Sequence, residues 1–141
     1  MPAIQWTESL HLGDAATDAN HEAFCALLNA VADASDAAFV PALDAFIEHT
    51  EVHFAEENAW MEAAAFPPVH CHRNEHDNVL ALCREVCKRA AAGEMELGRR
   101  LVAELPAWFA DHVDVMDRMM TTYLAQLGPG ARGEAAAETA A

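Results

Sequence analysis

Two pairs of side chains offer this sequence its chemistry. His53 and Glu57 stand four residues apart, and beyond the break Phe66-Pro67-Pro68 the pair His72 and His76 repeats the spacing. On an α-helix, residues four apart project from one face, one above the other. Two such pairs on neighbouring antiparallel helices converge, and nitrogen and oxygen donors converging inside a bundle are suited to holding a transition metal.

The helices that must carry these pairs follow from the apolar spacing. Asp18 reads as an N-cap, after which His21, Phe24, Cys25, Leu28, Val31 and Ala32 recur at three and four residues, predicting a first helix over 18–34. A lone histidine in such a stripe, as His21 is, ordinarily makes a hydrogen-bonded core residue. Ser35-Asp36 stops that helix and caps a second over 39–64, with Pro41 in its first turn. Its seam is Leu43, Phe46, Thr50, His53, Glu57, Trp60 and Ala64. An ionised Glu57 in that seam is costly unless paired or metal-bound, whereas Glu56 falls on the solvated side and His49 at the rim.

Pro67-Pro68 opens a third helix over 69–91 that Gly93 ends. Its seam runs His72, His76, Val79, Cys83, Val86, Ala90, and His70 falls outside it. The fourth helix, 94–127, carries Leu97, Leu101, Leu105, Trp108, His112, Val115 and Met119 on one stripe and Phe109, Val113, Asp117, Met120 and Leu124 on the next. His112 and Asp117 are five apart, about 140° around an ideal helix. That spacing keeps them from chelating one ion but lets them flank two. Pro106 predicts a kink just before them.

The sum is one domain, all-α, an up-down-up-down four-helix bundle over 1–127. Residues 1–17 form an extended N-terminal arm anchored by Trp6, in which the Glu8 and His11 pair is solvated. The segment 128–141 offers no core-forming side chain and is expected to be disordered.

With 23 acidic residues against 8 basic ones and a formal net charge of −15, the chain should repel phosphate backbones and anionic lipid. We therefore expect no nucleic-acid and no membrane partner. Neither a spanning apolar run nor a leader pattern occurs, which predicts a cytoplasmic protein. Cys25, Cys71, Cys83 and Cys87 lack C-x-x-C spacing and read as thiols.

Collected, the inward positions hold five histidines (His21, His53, His72, His76, His112) and two carboxylates (Glu57, Asp117). One ion needs at most six ligands, so seven favour two ions bridged by the carboxylates. At this point the chain resembles the hemerythrin family, in its short bacterial form. The resemblance runs from Trp6 to about Leu127, through Asp18-x-x-His21, His53-Phe-x-x-Glu57-x-x-x-Met61, Phe66-Pro67, His72-x-x-x-His76 and Trp108-x-x-x-His112-x-x-x-x-Asp117.

The resemblance implies a non-haem di-iron site with His72, His76 and His112 on one iron and His21 and His53 on the other. Glu57 and Asp117 would bridge them, beside an oxo or hydroxo bridge. The two-histidine iron then keeps an open position for O2, in a pocket lined by Phe24, Phe54, Trp60, Phe109 and Val113. Phe109 takes a position the family usually gives to Leu, Phe66 one it gives to Tyr, and Pro106 lies outside its pattern. The implied function is reversible O2 binding for transport, storage, delivery or sensing, by a protein that is not an enzyme; we expect a monomer, with a separate oxygen-consuming or signalling partner as an option that sensing would require. The alternative is a di-iron peroxidase, oxidase or nitric oxide-reactive protein at the same site. Ferritin-like enzymes use two Glu-x-x-His motifs within their helices, and here Glu8 to His11 is the only one.

Overall fold

A computed structural model describes residues 2–133. Helix α1 spans Ala15–Asp33, α2 Asp36–Ala63, α3 Val69–Ala91 and α4 Met95–His112, and a π turn at Val113–Asp117 runs on into α5, Arg118–Leu127. Among the described residues there is no strand, and none of the helices is long and apolar enough to cross a membrane. With α4, the π turn and α5 as one rod, this is the expected four-helix bundle. Each rod packs on its chain neighbours, and α4 closes the ring on α1.

The main core is apolar and shared by all four rods. Phe24, Leu28 and Val31 meet Phe39, Leu43 and Phe46, and Val79, Cys83, Leu101, Leu105 and Phe109 complete the layer, all buried. Burying such side chains contributes about 1.5–3 kcal/mol each, which holds the polar interior at the far end of the bundle in place. A smaller cluster of Trp60, Met61, Phe66, Met120 and Leu124 closes that end.

The structure departs from the sequence reading at several ends. Asp14, not Asp18, caps α1, accepting from the Thr17 amide. Asp18 is buried and instead accepts from the Leu12 and Gly13 amides at 2.7 and 3.0 Å, fastening the arm to α1. The arm is anchored chiefly by Ile4 and Leu10, which are buried, while Trp6 is half-buried. Asn29 brackets Ile4, donating to its carbonyl at 2.7 Å and accepting from its amide at 2.9 Å.

Helix α2 starts at Asp36 under a Ser35 cap, so Pro41 sits beyond the first turn. The carbonyl that loses its partner there belongs to Ala37, which is exposed to solvent. Chain beyond α5 turns back rather than leaving the bundle: Arg132 pairs with Asp14 at 3.0 Å and lies over the Trp60 ring at 4.6 Å. The rest of the segment expected to be disordered, 134–141, lies outside the described residues.

The largest correction concerns the fourth helix, which continues through Pro106 and leaves α geometry only afterwards. At Val113–Asp117 the hydrogen bonds widen, and the Arg118 amide reaches the Val113 carbonyl five residues back. One extra residue per turn rotates everything that follows. Val115 and Met119, which an unbroken stripe would bury, are 58% and 52% exposed, and Asp117, Met120 and Leu124 face inward.

Candidate metal centre

The four rods bring all seven candidate donors to one buried place. Glu57 and Asp117 are fully buried, and none of the five histidines is more than 2% exposed. Two sets form, within each of which the donor atoms all lie within 4.8 Å of one another: His72, His76, His112, Asp117 and Glu57, and His21, His53 and Glu57. Glu57 belongs to both. Asp117 also reaches across, with Oδ1 3.0 Å from His72 Nε2 and Oδ2 2.9 Å from His21 Nε2.

The π turn makes this possible. On a regular helix Asp117 would point well away from His112, but the wider turn returns it to the same face, 3.2 Å from His112 Nε2. The two do share one donor set, contrary to the α-helical expectation.

Backbone and side-chain acceptors place the Nδ1 proton of three of the five histidines. His21 Nδ1 donates to the Leu10 carbonyl at 3.3 Å, His76 Nδ1 to Asn58 Oδ1 at 2.9 Å, and His112 Nδ1 to Glu75 Oε1 at 3.0 Å. With the proton on Nδ1, each Nε2 keeps a lone pair. Those of His112 and His76 point at one another, 3.2 Å apart, and His72 Nε2 lies 3.3 Å from His112 Nε2. Acceptors facing acceptors repel unless a cation stands between them. Glu57 Oε1 makes the same point, being 3.2 Å from His76 Nε2 and 3.4 Å from His72 Nε2 yet without a hydrogen bond. Donors of this kind at this crowding fit transition-metal ions.

Electrostatics agree. Burial opposes charge on Glu57, but His53, His72 and His76 outweigh it and hold the carboxyl well below its ordinary value. Asp117 is likewise held low, by His112 and His21 against both burial and the Glu57 charge. In return the two carboxylates overcome burial and raise His72 to about 9, and raise His21 and His112 above their ordinary value. At His76 burial wins and the shift is downward. Two ionised carboxylates without a lysine or arginine partner need positive charge here, from protons or from metal.

Aromatic rings wall the site. Phe24 and Phe109 stack at 3.8 Å, and Phe109 meets His21 edge-on at 5.2 Å. Phe54 stacks on His76 at 3.9 Å and Trp108 on His112 at 4.8 Å. Val113 is fully buried in the same core. Trp60, expected with these rings, lies instead in the smaller cluster at the bundle end. His49 is half-buried at the rim, 5.9 Å from His53 between ring centroids, and His70 is exposed. Sequence reasoning passed over Leu10, Asn58 and Glu75. Glu75 and Asn58 each adjoin a donor in the chain, but a backbone carbonyl such as that of Leu10 leaves no mark in a sequence.

The model of the Hemerythrin HHE cation binding domain family matches residues 12–124, most of the chain. The chain belongs to the hemerythrin family. It is 83% identical over 137 residues to a bacteriohemerythrin from Ralstonia nicotianae, covering 97% of this chain and 100% of that one. A bacteriohemerythrin from Methylococcus capsulatus is 27% identical over 77 residues, 55% of this chain and 59% of that one. A crystal structure of wild-type hemerythrin superposes with a TM-score of 0.77 at 23% identity, covering 86% of this chain and 98% of that one, which supports the fold. As a hemerythrin, the chain pairs its cation-binding family with a buried His, Glu and Asp cluster able to hold metal.

Proposed function

We propose that this hemerythrin binds O2 reversibly at a centre of two iron ions. His72, His76 and His112 would hold one ion and His21 and His53 the other, with Glu57 and Asp117 bridging. The observation that carries the reading is the division of seven buried donors into a richer and a poorer set that share a carboxylate. The poorer set has only His21 and His53 besides shared carboxylates, so a coordination position is left for an exogenous ligand on that side.

Bound there, the iron pair would supply the two electrons that O2 takes up and returns. The chain's own residues do the rest. Five imidazoles and two carboxylates would leave a ferrous pair with net positive charge, which would resist further oxidation better than a carboxylate-rich site. Phe24 and Phe109 beside His21, with Phe54 and Val113 behind, exclude water and present no proton donor to a ligand on that side. The similarity to bacteriohemerythrins supports the same reading, as does the absence of helical Glu-x-x-His motifs, which favours a carrier over an enzyme.

The test is anaerobic reduction of iron-loaded protein, exposure to air, then removal of O2 under vacuum, followed by visible absorption. A charge-transfer band that appears with O2 and vanishes under vacuum supports the reading. A direct, irreversible passage to the ferric spectrum would overturn it in favour of oxidase or peroxidase chemistry.

A further inference from the structure

We propose that Glu75, which lies outside both donor sets, is a positioning residue that raises the donor strength of His112 and so tunes the three-histidine half of the centre. The inference rests on the metal-centre reading above. Three of the five histidines have a partner for Nδ1, and these partners differ in kind. His21 faces a neutral backbone carbonyl, that of Leu10, and His76 faces a neutral amide, that of Asn58. His112 alone of the three faces a carboxylate, at 3.0 Å.

An anionic acceptor draws on the Nδ1 proton and pushes electron density to Nε2, which fixes the tautomer and makes the nitrogen a stronger ligand. The geometry around this bond is built to last. His112 is fully buried at its side chain, Glu75 is 32% exposed, and Trp108 stacks on the imidazole with its plane inclined by 13°. The stack holds the ring plane so that Nδ1 stays aimed at Glu75 while Nε2 stays aimed at Asp117. Among the described residues Glu75 has no lysine or arginine partner, so its charge is not spent elsewhere. Helix α3 thus contributes His72 and His76 directly and acts on His112 of α4 through Glu75.

Charge and shape separate in two variants. Glu75→Gln keeps an acceptor of the same length without the charge, and Glu75→Ala removes both; Asn58→Asp does the reverse at His76 by giving it a carboxylate. Zinc affinity by chelator competition, and the midpoint potential of iron-loaded protein, are read on each. Glu75→Gln should lose about 10- to 100-fold in zinc affinity at one of the two positions and shift the midpoint potential upward, with an unchanged far-ultraviolet circular dichroism spectrum. Asn58→Asp should shift the potential downward. If Glu75→Gln matches wild type in both readouts while Glu75→Ala falls, Glu75 merely props the ring, and the proposal is overturned. If wild-type protein takes up fewer than two zinc ions, the metal-centre reading fails and this inference with it.

Discussion

The half of the centre built by His21 and His53 and the half built by His72, His76 and His112 share Glu57 and Asp117 but are secured by different means. The three-histidine half is set by side chains: Asn58 and Glu75 orient two of its rings, and Phe54 and Trp108 stack on the same two. The two-histidine half leans on backbone and apolar contact. His21 depends on the carbonyl of Leu10, which belongs to the arm, and His53 Nδ1 has no partner. The difference teaches that two rings of the ligand-rich side are held by side-chain partners, while the poorer side borrows its order from a segment outside the bundle. That second side is also the one where the protein supplies fewer donors.

Removing the feature that joins the halves should have the largest effect. Asp117→Ala removes the carboxylate that reaches both His72 and His21. Both donor sets should bind metal more weakly while helical content persists, as metal analysis and circular dichroism would register. Next in size, His53→Ala should cost one ion and leave the other. At metal concentrations 100 times the dissociation constant each ion adds about 2.7 kcal/mol, visible as a partial fall in melting temperature. Loss of both ions would mean that the halves are not separable.

The arm offers a finer cut. Asp18→Ala removes a carboxylate from two arm amides, a loss of about 2 kcal/mol, and frees Leu10 from its post beside His21. Metal affinity should fall in the two-histidine half only.

Acidity gives a graded test. His72 is raised from 6.5 to about 9 in metal-free protein, so the folded state holds that proton more tightly than the unfolded one. The stability it contributes is complete below about 6.5 and is lost as pH rises through about 9, and His21 and His112 act in the same sense while His76 opposes them. Metal requires neutral imidazoles. The difference in melting temperature between loaded and metal-free protein should therefore widen from pH 6 to pH 9; a constant difference would argue that metal displaces no protons. Smallest of all, His70→Ala should change stability by less than about 0.5 kcal/mol and leave metal content intact, whereas His72→Ala removes a donor.

Much of this was legible in the chain itself. Side chains four apart on regular helices, His53 with Glu57 and His72 with His76, fixed a face for each helix because the α period is constant. Where the period changes, the reading failed. His112 and Asp117 were judged too far apart because a five-residue interval means opposite edges on an α-helix and one face on a π turn, and a polar pair at that interval is the signal that separates the two. Asp18 was misread as a cap because a carboxylate at a helix start has the same sequence signature whether it holds its own helix or a neighbouring strand of chain. Trp60 shows a third limit: seam periodicity tells inside from outside but not which of two clusters along the axis a residue joins.

The cysteines offer a practical handle. Burial pushes the thiols of Cys25, Cys83 and Cys87 up to about 11, 12 and 11, leaving each in its unreactive form at neutral pH. Cys71 is exposed and directly precedes His72. A single dye can thus be attached without mutagenesis, on the surface one residue from the centre. Its emission would be quenched or restored as absorption by the centre changes, giving a real-time optical gauge of ligand occupancy.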